Sequence, residues 1–151
     1  MKNILVVYHS QSGNTKTLAD AVEKGCKLEK DANVRLKTAF KADLQDLIWA
    51  DGILFGTPEN FGTMSGALKD FFDRTFYPAE PYRLNLPYAI FISAENDGTG
   101  AVREIHRIAI GYPLRQLAEP LIVKGEVLAK HRALAKEFGH TMAAGLCLGI
   151  F

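Results

Sequence analysis

Long apolar runs are missing from this 151-residue chain. None approaches the ~20 residues that a membrane-spanning helix requires. The opening MKNILVVYHS turns polar too soon for a secretory signal, so a cytoplasmic location and no membrane partner are expected. Cysteine is scarce. Cys26 and Cys147 lie far apart and neither belongs to a CxxC pair, which leaves no disulfide framework and no zinc site. The histidines His9, His106, His131 and His140 show no metal-ligand spacing. Charge of one sign is lacking too: 18 Lys and Arg oppose 17 Asp and Glu, a formal net charge of +1, without a block of like charge. Nucleic-acid binders usually carry a basic stripe, so no nucleic-acid partner is expected.

What is present is a regular alternation. Ile4 to Tyr8 is a β-branched-rich apolar run that ends in a polar, Gly-containing turn, as a buried parallel strand does. Helical spacing follows from Thr15 to about Leu28, with Leu18, Val22, Gly25 and Cys26 on one face. Asn33 to Ala39 suits a second strand, and Asp43 is a good N-cap for a short helix marked by Leu44, Leu47 and Ile48. Gly52 to Gly56 is a third strand. Its following helix places Met64, Leu68, Phe71, Phe72 and Thr75 on one face. Tyr88 to Ile92 is a fourth strand, and Val102, Ile105, Ile108 and Ala109 mark the next helix, ended near Gly111 and Pro113. Leu121 to Val123 is a short fifth strand. A last helix, roughly Val127 to Leu146, turns Leu134, Phe138, Met142 and Leu146 inward.

Strands alternating with helices imply an α/β fold, a parallel sheet covered by helices on both faces. No linker, repeat or low-complexity segment divides it, so residues 1–151 are expected to form one domain. In such sheets ligands bind beyond the carboxyl ends of the strands, which directs attention to three loops.

The loop after the first strand reads Ser10-Gln11-Ser12-Gly13-Asn14-Thr15. Hydroxyls, a glycine and the free N–H groups of a helix start make an anion site, because the helix N-terminus carries partial positive charge. The nucleoside-triphosphate P-loop pattern and the G-x-G-x-x-G fingerprint are both absent. On its own the segment also reads as a plain helix-capping turn.

Tyr8 to Thr15, YHSQSGNT, resembles the FMN-phosphate loop of the flavodoxin superfamily, a Ser/Thr-rich run ending G-x-T. Gly56 to Gly66, GTPENFGTMSG, and the helix sequence Leu68 to Thr75 that follows are similar to the flavin-ring loop of the NAD(P)H-dependent FMN and quinone reductase branch. The resemblance implies a flavodoxin-like three-layer sandwich with strand order 2-1-3-4-5, and FMN as cofactor. It implies that Ser10, Gln11, Ser12, Gly13, Asn14 and Thr15 hold the phosphate. Thr57, Pro58, Glu59, Asn60, Phe61 and Gly62 would then lie beside the isoalloxazine, with Phe61 as an apolar wall. Ser93, Ala94, Glu95 and Asn96, after the fourth strand, would face the pyrimidine end. No catalytic nucleophile or base and no metal is required.

Three departures separate the chain from the reductase branch. Asn60 stands where a basic residue is usual, with the acidic Glu59 before it; the fourth-strand loop is acidic and amide-rich; and Thr38 to Leu44 is short. A net charge of +1 also lacks the strong acidity of electron-carrying flavodoxins. The implied function is therefore an FMN-binding redox protein passing electrons to a redox partner protein. The alternative is an enzyme taking NAD(P)H and a small electron acceptor such as a quinone or free flavin. A cofactor-free interaction module of the same fold is a third reading. A phospho-accepting receiver is not expected, since Tyr8-His9-Ser10 and Gly56-Thr57 stand where its acidic residues belong. The proline- and tyrosine-containing stretch Tyr77 to Tyr88 leaves a homo-oligomer open.

Overall fold

The computed structural model describes residues 1–151. Its elements in chain order are β1 (Lys2–Tyr8), α1 (Asn14–Cys26), β2 (Ala32–Thr38), α2 (Leu44–Trp49), β3 (Gly52–Asn60), β4 (Thr63–Met64), α3 (Gly66–Ala79), β5 (Leu86–Ala94), α4 (Thr99–Ala109), β6 (Leu114–Gln116), β7 (Leu121–Lys124) and α5 (Ala129–Cys147). The sheet runs β2-β1-β3-β5-β6 with β7 also on β5, and apart from the β3–β4 hairpin every pairing is parallel. The fold is flavodoxin-like α/β, as expected.

Strand periodicity sends alternate side chains to opposite faces. Leu5, Val7, Ile53, Phe55, Ile90 and Ile92 meet Leu47 of α2, Leu68, Phe71 and Phe72 of α3 and Ile105 of α4. Ile4, Val6, Leu54 and Phe91 meet Leu18 and Val22 of α1 and Met142 and Leu146 of α5. Both faces of the central strands are thus dry, which explains their continuous rather than alternating apolar sequence. On α2, Asp43 and Asp46 form a reciprocal capping box, each carboxylate accepting the other's backbone N–H at 3.2 and 3.0 Å. No helix is long and apolar enough to cross a membrane.

Three details differ from the sequence reading. The third strand does not stop at Gly56. It continues to Asn60 and folds back as the β3–β4 hairpin, because Phe61 and Gly62 both take positive φ, 53° and 76°, and so make a tight turn. The fifth sheet position is shared by two short segments, β6 and β7, each pairing with β5. Finally, Leu134 is 49% exposed while its neighbour Ala135 is buried. The inward stripe of α5 therefore runs Ala135, Met142, Ala143 and Leu146, narrower than leucine spacing alone suggested.

Candidate functional site: a cofactor cleft at the carboxyl edge of the sheet

The loops that leave β1, β3, β5 and β7 converge at the carboxyl edge of the sheet on one cleft of about 580 Å³. That is within the range of small-molecule and cofactor sites. Gln11, Ser12 and Asn14 line it from the first loop, Pro58, Glu59 and Asn60 from the hairpin, and Ser93, Ala94 and Glu95 from the end of β5. Gly125 and Glu126, after β7, complete the wall. The sequence reading missed these last two. Their signal was positional only: they follow a strand at the same edge of the sheet.

The first loop is shaped by Gly13, which sits at φ 107° as the N-cap of α1 with open space where a side chain would project. Its N–H donates to Ser10 Oγ at 3.1 Å, while its carbonyl accepts from Thr17 N at 3.0 Å. The backbone N–H groups of Asn14, Thr15 and Lys16 have no protein acceptor. An uncapped first turn with three free donors, next to a polar cleft, matches a phosphate group.

Other predicted residues stand behind the lining. Thr15 is buried, and its hydroxyl shares a 2.7 Å hydrogen bond with Ser93. Thr57, also buried, donates to Pro58 O at 2.8 Å and accepts from Ser65 N at 2.9 Å, which braces the hairpin at its root. At the mouth, Asn60 Nδ2 donates to Gln11 Oε1 at 3.3 Å, linking the hairpin to the first loop. Asn96 is exposed and does not line the cleft. Phe61 and Gly62 form the hairpin tip. Phe61 is fully exposed and borders a separate groove with Met64, Lys69 and Ile108 rather than the cleft. Its place at the tip, in a left-handed backbone conformation, directs the ring away from the pocket floor.

The N-termini of α1 and α4 at this edge are treated differently. That of α1 is open. That of α4 is closed by carboxylates: Asp97 Oδ1 accepts from Thr99 N at 3.2 Å, and Glu59 Oε2 accepts from Gly100 N at 3.1 Å and Ala101 N at 3.3 Å. Hydrogen bonds from the Thr99 hydroxyl and N–H hold the Asp97 carboxyl below its usual range. The cleft lining includes Glu59, Glu95 and Glu126 and no Lys, Arg or His. An anionic group on a ligand is therefore directed to α1.

Known proteins bear on this arrangement. The sequence profile of the NADPH-dependent FMN reductase family matches residues 16–113, more than half of the chain. The chain belongs to that family. A flavodoxin of Aquifex aeolicus is 41% identical over 73 residues, a match spanning 48% of this chain and 40% of that protein. This chain thus aligns with less than half the length of that relative. In shape it is similar to a flavodoxin from the domain Archaea (TM-score 0.82, 24% identity, 96% of this chain and 99% of that one). It is also similar to the flavodoxin, WrbA-like protein from Agrobacterium tumefaciens (TM-score 0.80, 21% identity, 98% and 99%). The cofactor of this family member is FMN, and the free donors of α1 beside a polar cleft fit its phosphate.

Proposed function

We propose that this family member is an electron-transfer flavoprotein that holds FMN noncovalently in the carboxyl-edge cleft. The observation that carries the reading is the open first turn of α1, with its three unpaired N–H groups beside the cleft. Bound FMN supplies one- and two-electron chemistry; the protein supplies binding, orientation and electrostatics. Asn14, Thr15 and Lys16 offer backbone donors to the phosphate, and Gly13 allows close approach. Pro58 to Asn60 and Ser93 to Glu95, which leave neighbouring strands, line the cleft and offer backbone groups to the ring's heteroatoms. None of these residues needs to exchange a proton or form a bond.

The partner is read from charge. Glu95 and Glu126 line the cleft with no cation among the lining residues, so its wall is acidic although the whole chain is nearly neutral. Such a wall steers a redox protein with a basic docking face. Phe61, exposed at the hairpin tip beside it, adds an apolar contact. A second reading, an NADPH-dependent reductase of FMN or quinone, is favoured by the family match. Against it, no cationic side chain lines the cleft to receive a dinucleotide's phosphates.

The test is the visible spectrum of the purified protein, then anaerobic mixing of the flavin-loaded form with NADPH and, once reduced, with a basic redox protein such as cytochrome c. The carrier reading predicts bound FMN, slow bleaching by NADPH, and electron transfer to cytochrome c that slows as salt rises from 50 to 500 mM, about the range over which surface steering is screened. Fast NADPH bleaching moves the enzyme reading to first place. A colourless protein that takes up no FMN overturns both.

A further inference from the structure

We infer that Glu59 is a positioning residue, a latch that joins the two walls of the flavin cleft and keeps the α4 N-terminus from acting as a second anion site. This rests on the FMN reading above. Glu59 sits at the end of β3, inside the hairpin wall, yet its Oε2 accepts from Gly100 and Ala101, which open the helix that follows the β5 wall. One half-buried carboxylate thus ties together segments 41 and 42 residues apart in sequence.

The packing around this contact leaves no slack. A Cβ on Gly100 would lie 2.0 Å from Gly62 O and 3.3 Å from Glu59 Oε2. The hairpin tip therefore rests directly on the first turn of α4, and only glycine at 100 admits it. Asp97 satisfies Thr99 N while Glu59 satisfies the next two amides, so the first turn of α4 has no donor left over. α4 has no other side-chain cap. Sequence position alone assigns Glu59 to the ring's surroundings as a bare negative charge. In the structure that charge faces the positive end of a helix dipole and is largely spent there.

Two consequences follow. The ladder with β5 already fixes Pro58 beside Ser93; what the latch holds is the hairpin beyond it, Glu59 to Gly62, against α4, so loosening it frees that part of the cleft wall and weakens FMN. The latch charge also offsets the α4 dipole, so removing it leaves positive potential at the cleft and makes the bound flavin easier to reduce.

The experiment compares wild type, Glu59→Ala, Glu59→Gln and Asp43→Ala, the last removing the cap of α2, which has no residue in the cleft. Three quantities are measured: FMN dissociation by fluorescence titration of the apoprotein, amide exchange of the apoprotein by NMR, and the midpoint potential of the loaded protein. Losing two charge-assisted bonds predicts FMN binding about tenfold weaker in Glu59→Ala, with faster exchange at Gly100 and Ala101. Glu59→Gln retains an acceptor and recovers most of the affinity. Both Glu59 variants raise the midpoint potential, and Asp43→Ala changes neither affinity nor potential. Wild-type affinity in Glu59→Ala overturns the inference, as does an equal loss in Asp43→Ala. Should Glu59→Ala not fold, the Gln variant decides, since an unchanged potential there overturns the inference and a raised one supports it. Absence of FMN binding in the wild type defeats the FMN reading instead, and amide exchange in the apoprotein still tests the latch.

Discussion

Thr15 and Ser93, 78 residues apart in sequence, share a 2.7 Å hydrogen bond between buried hydroxyls. The bond fastens the start of α1 to the end of β5, so the segment proposed to hold the phosphate and one wall of the cleft move as a unit. Replacing Thr15 with Val preserves shape but leaves the Ser93 hydroxyl buried and without its partner. The expected cost is about 1–3 kcal/mol in stability, read from urea unfolding. A loss of FMN affinity should accompany it. An unchanged unfolding midpoint would show that the bond is not needed.

Two glycines beside the cleft predict opposite failures. Gly13 has open space at its missing Cβ but a φ of 107°. Gly13→Ala therefore folds with backbone strain of about 1–2 kcal/mol and rearranges the phosphate loop, with FMN affinity falling more than stability. Gly100 has ordinary φ but no room, its Cβ position being 2.0 Å from Gly62 O. Gly100→Ala must displace the hairpin, and crystal structures of the two variants should show movement at Phe61–Gly62 in the second only.

Acid stability is expected to depend on Asp46. Burial alone would raise its carboxyl above the ordinary 3.8, but Lys37, the backbone N–H of Asp43 and Arg35 together outweigh burial and hold it lower. The folded value is thus below the unfolded one. The stabilisation is complete above the ordinary 3.8 and is lost as pH falls through the lower folded value. Asp46→Asn should remove about 1.5–3 kcal/mol at neutral pH and flatten the acid limb of the stability profile. Chemical denaturation between pH 2 and 7, about the span in which carboxyls titrate, checks both.

Phe61 holds a left-handed backbone, φ 53°, with its ring in solvent. Such a conformation costs a non-glycine residue about 1–2 kcal/mol, and asparagine tolerates it better. Phe61→Asn should therefore raise the denaturation midpoint while lowering the rate of electron delivery to a protein partner. A fall in stability would show that the ring is packed in the neighbouring groove.

Much of the fold was legible because parallel strands buried on both faces are written as continuous apolar runs, as at Ile4 to Tyr8 and Gly52 to Gly56. The first loop was legible for a different reason: its open backbone N–H groups and one positive-φ glycine are both local properties. The hairpin was harder. Thr57 to Asn60 look like loop in sequence, since proline and polar residues normally end a strand. Pairing with Ile92 and Ser93 of β5 makes Thr57 and Pro58 strand, and the turn at Phe61–Gly62 with the β4 pairing does the same for Glu59 and Asn60. Gly125 and Glu126 carry no motif, and their place in the cleft depends on where β7 docks on β5.

Local chemistry along the chain determined the element order, the two-sided core and the anion-ready start of α1, because each depends on residues within one or two turns of each other. Tertiary structure decided what the acidic residues do. Glu59 and Asp97 look alike as rim charges in sequence. Yet Asp97 caps its own loop while Glu59 crosses to another element, because a carboxylate goes to whichever unpaired donors the fold brings within reach, and the amides of Gly100 and Ala101 lie 41 and 42 residues away along the chain.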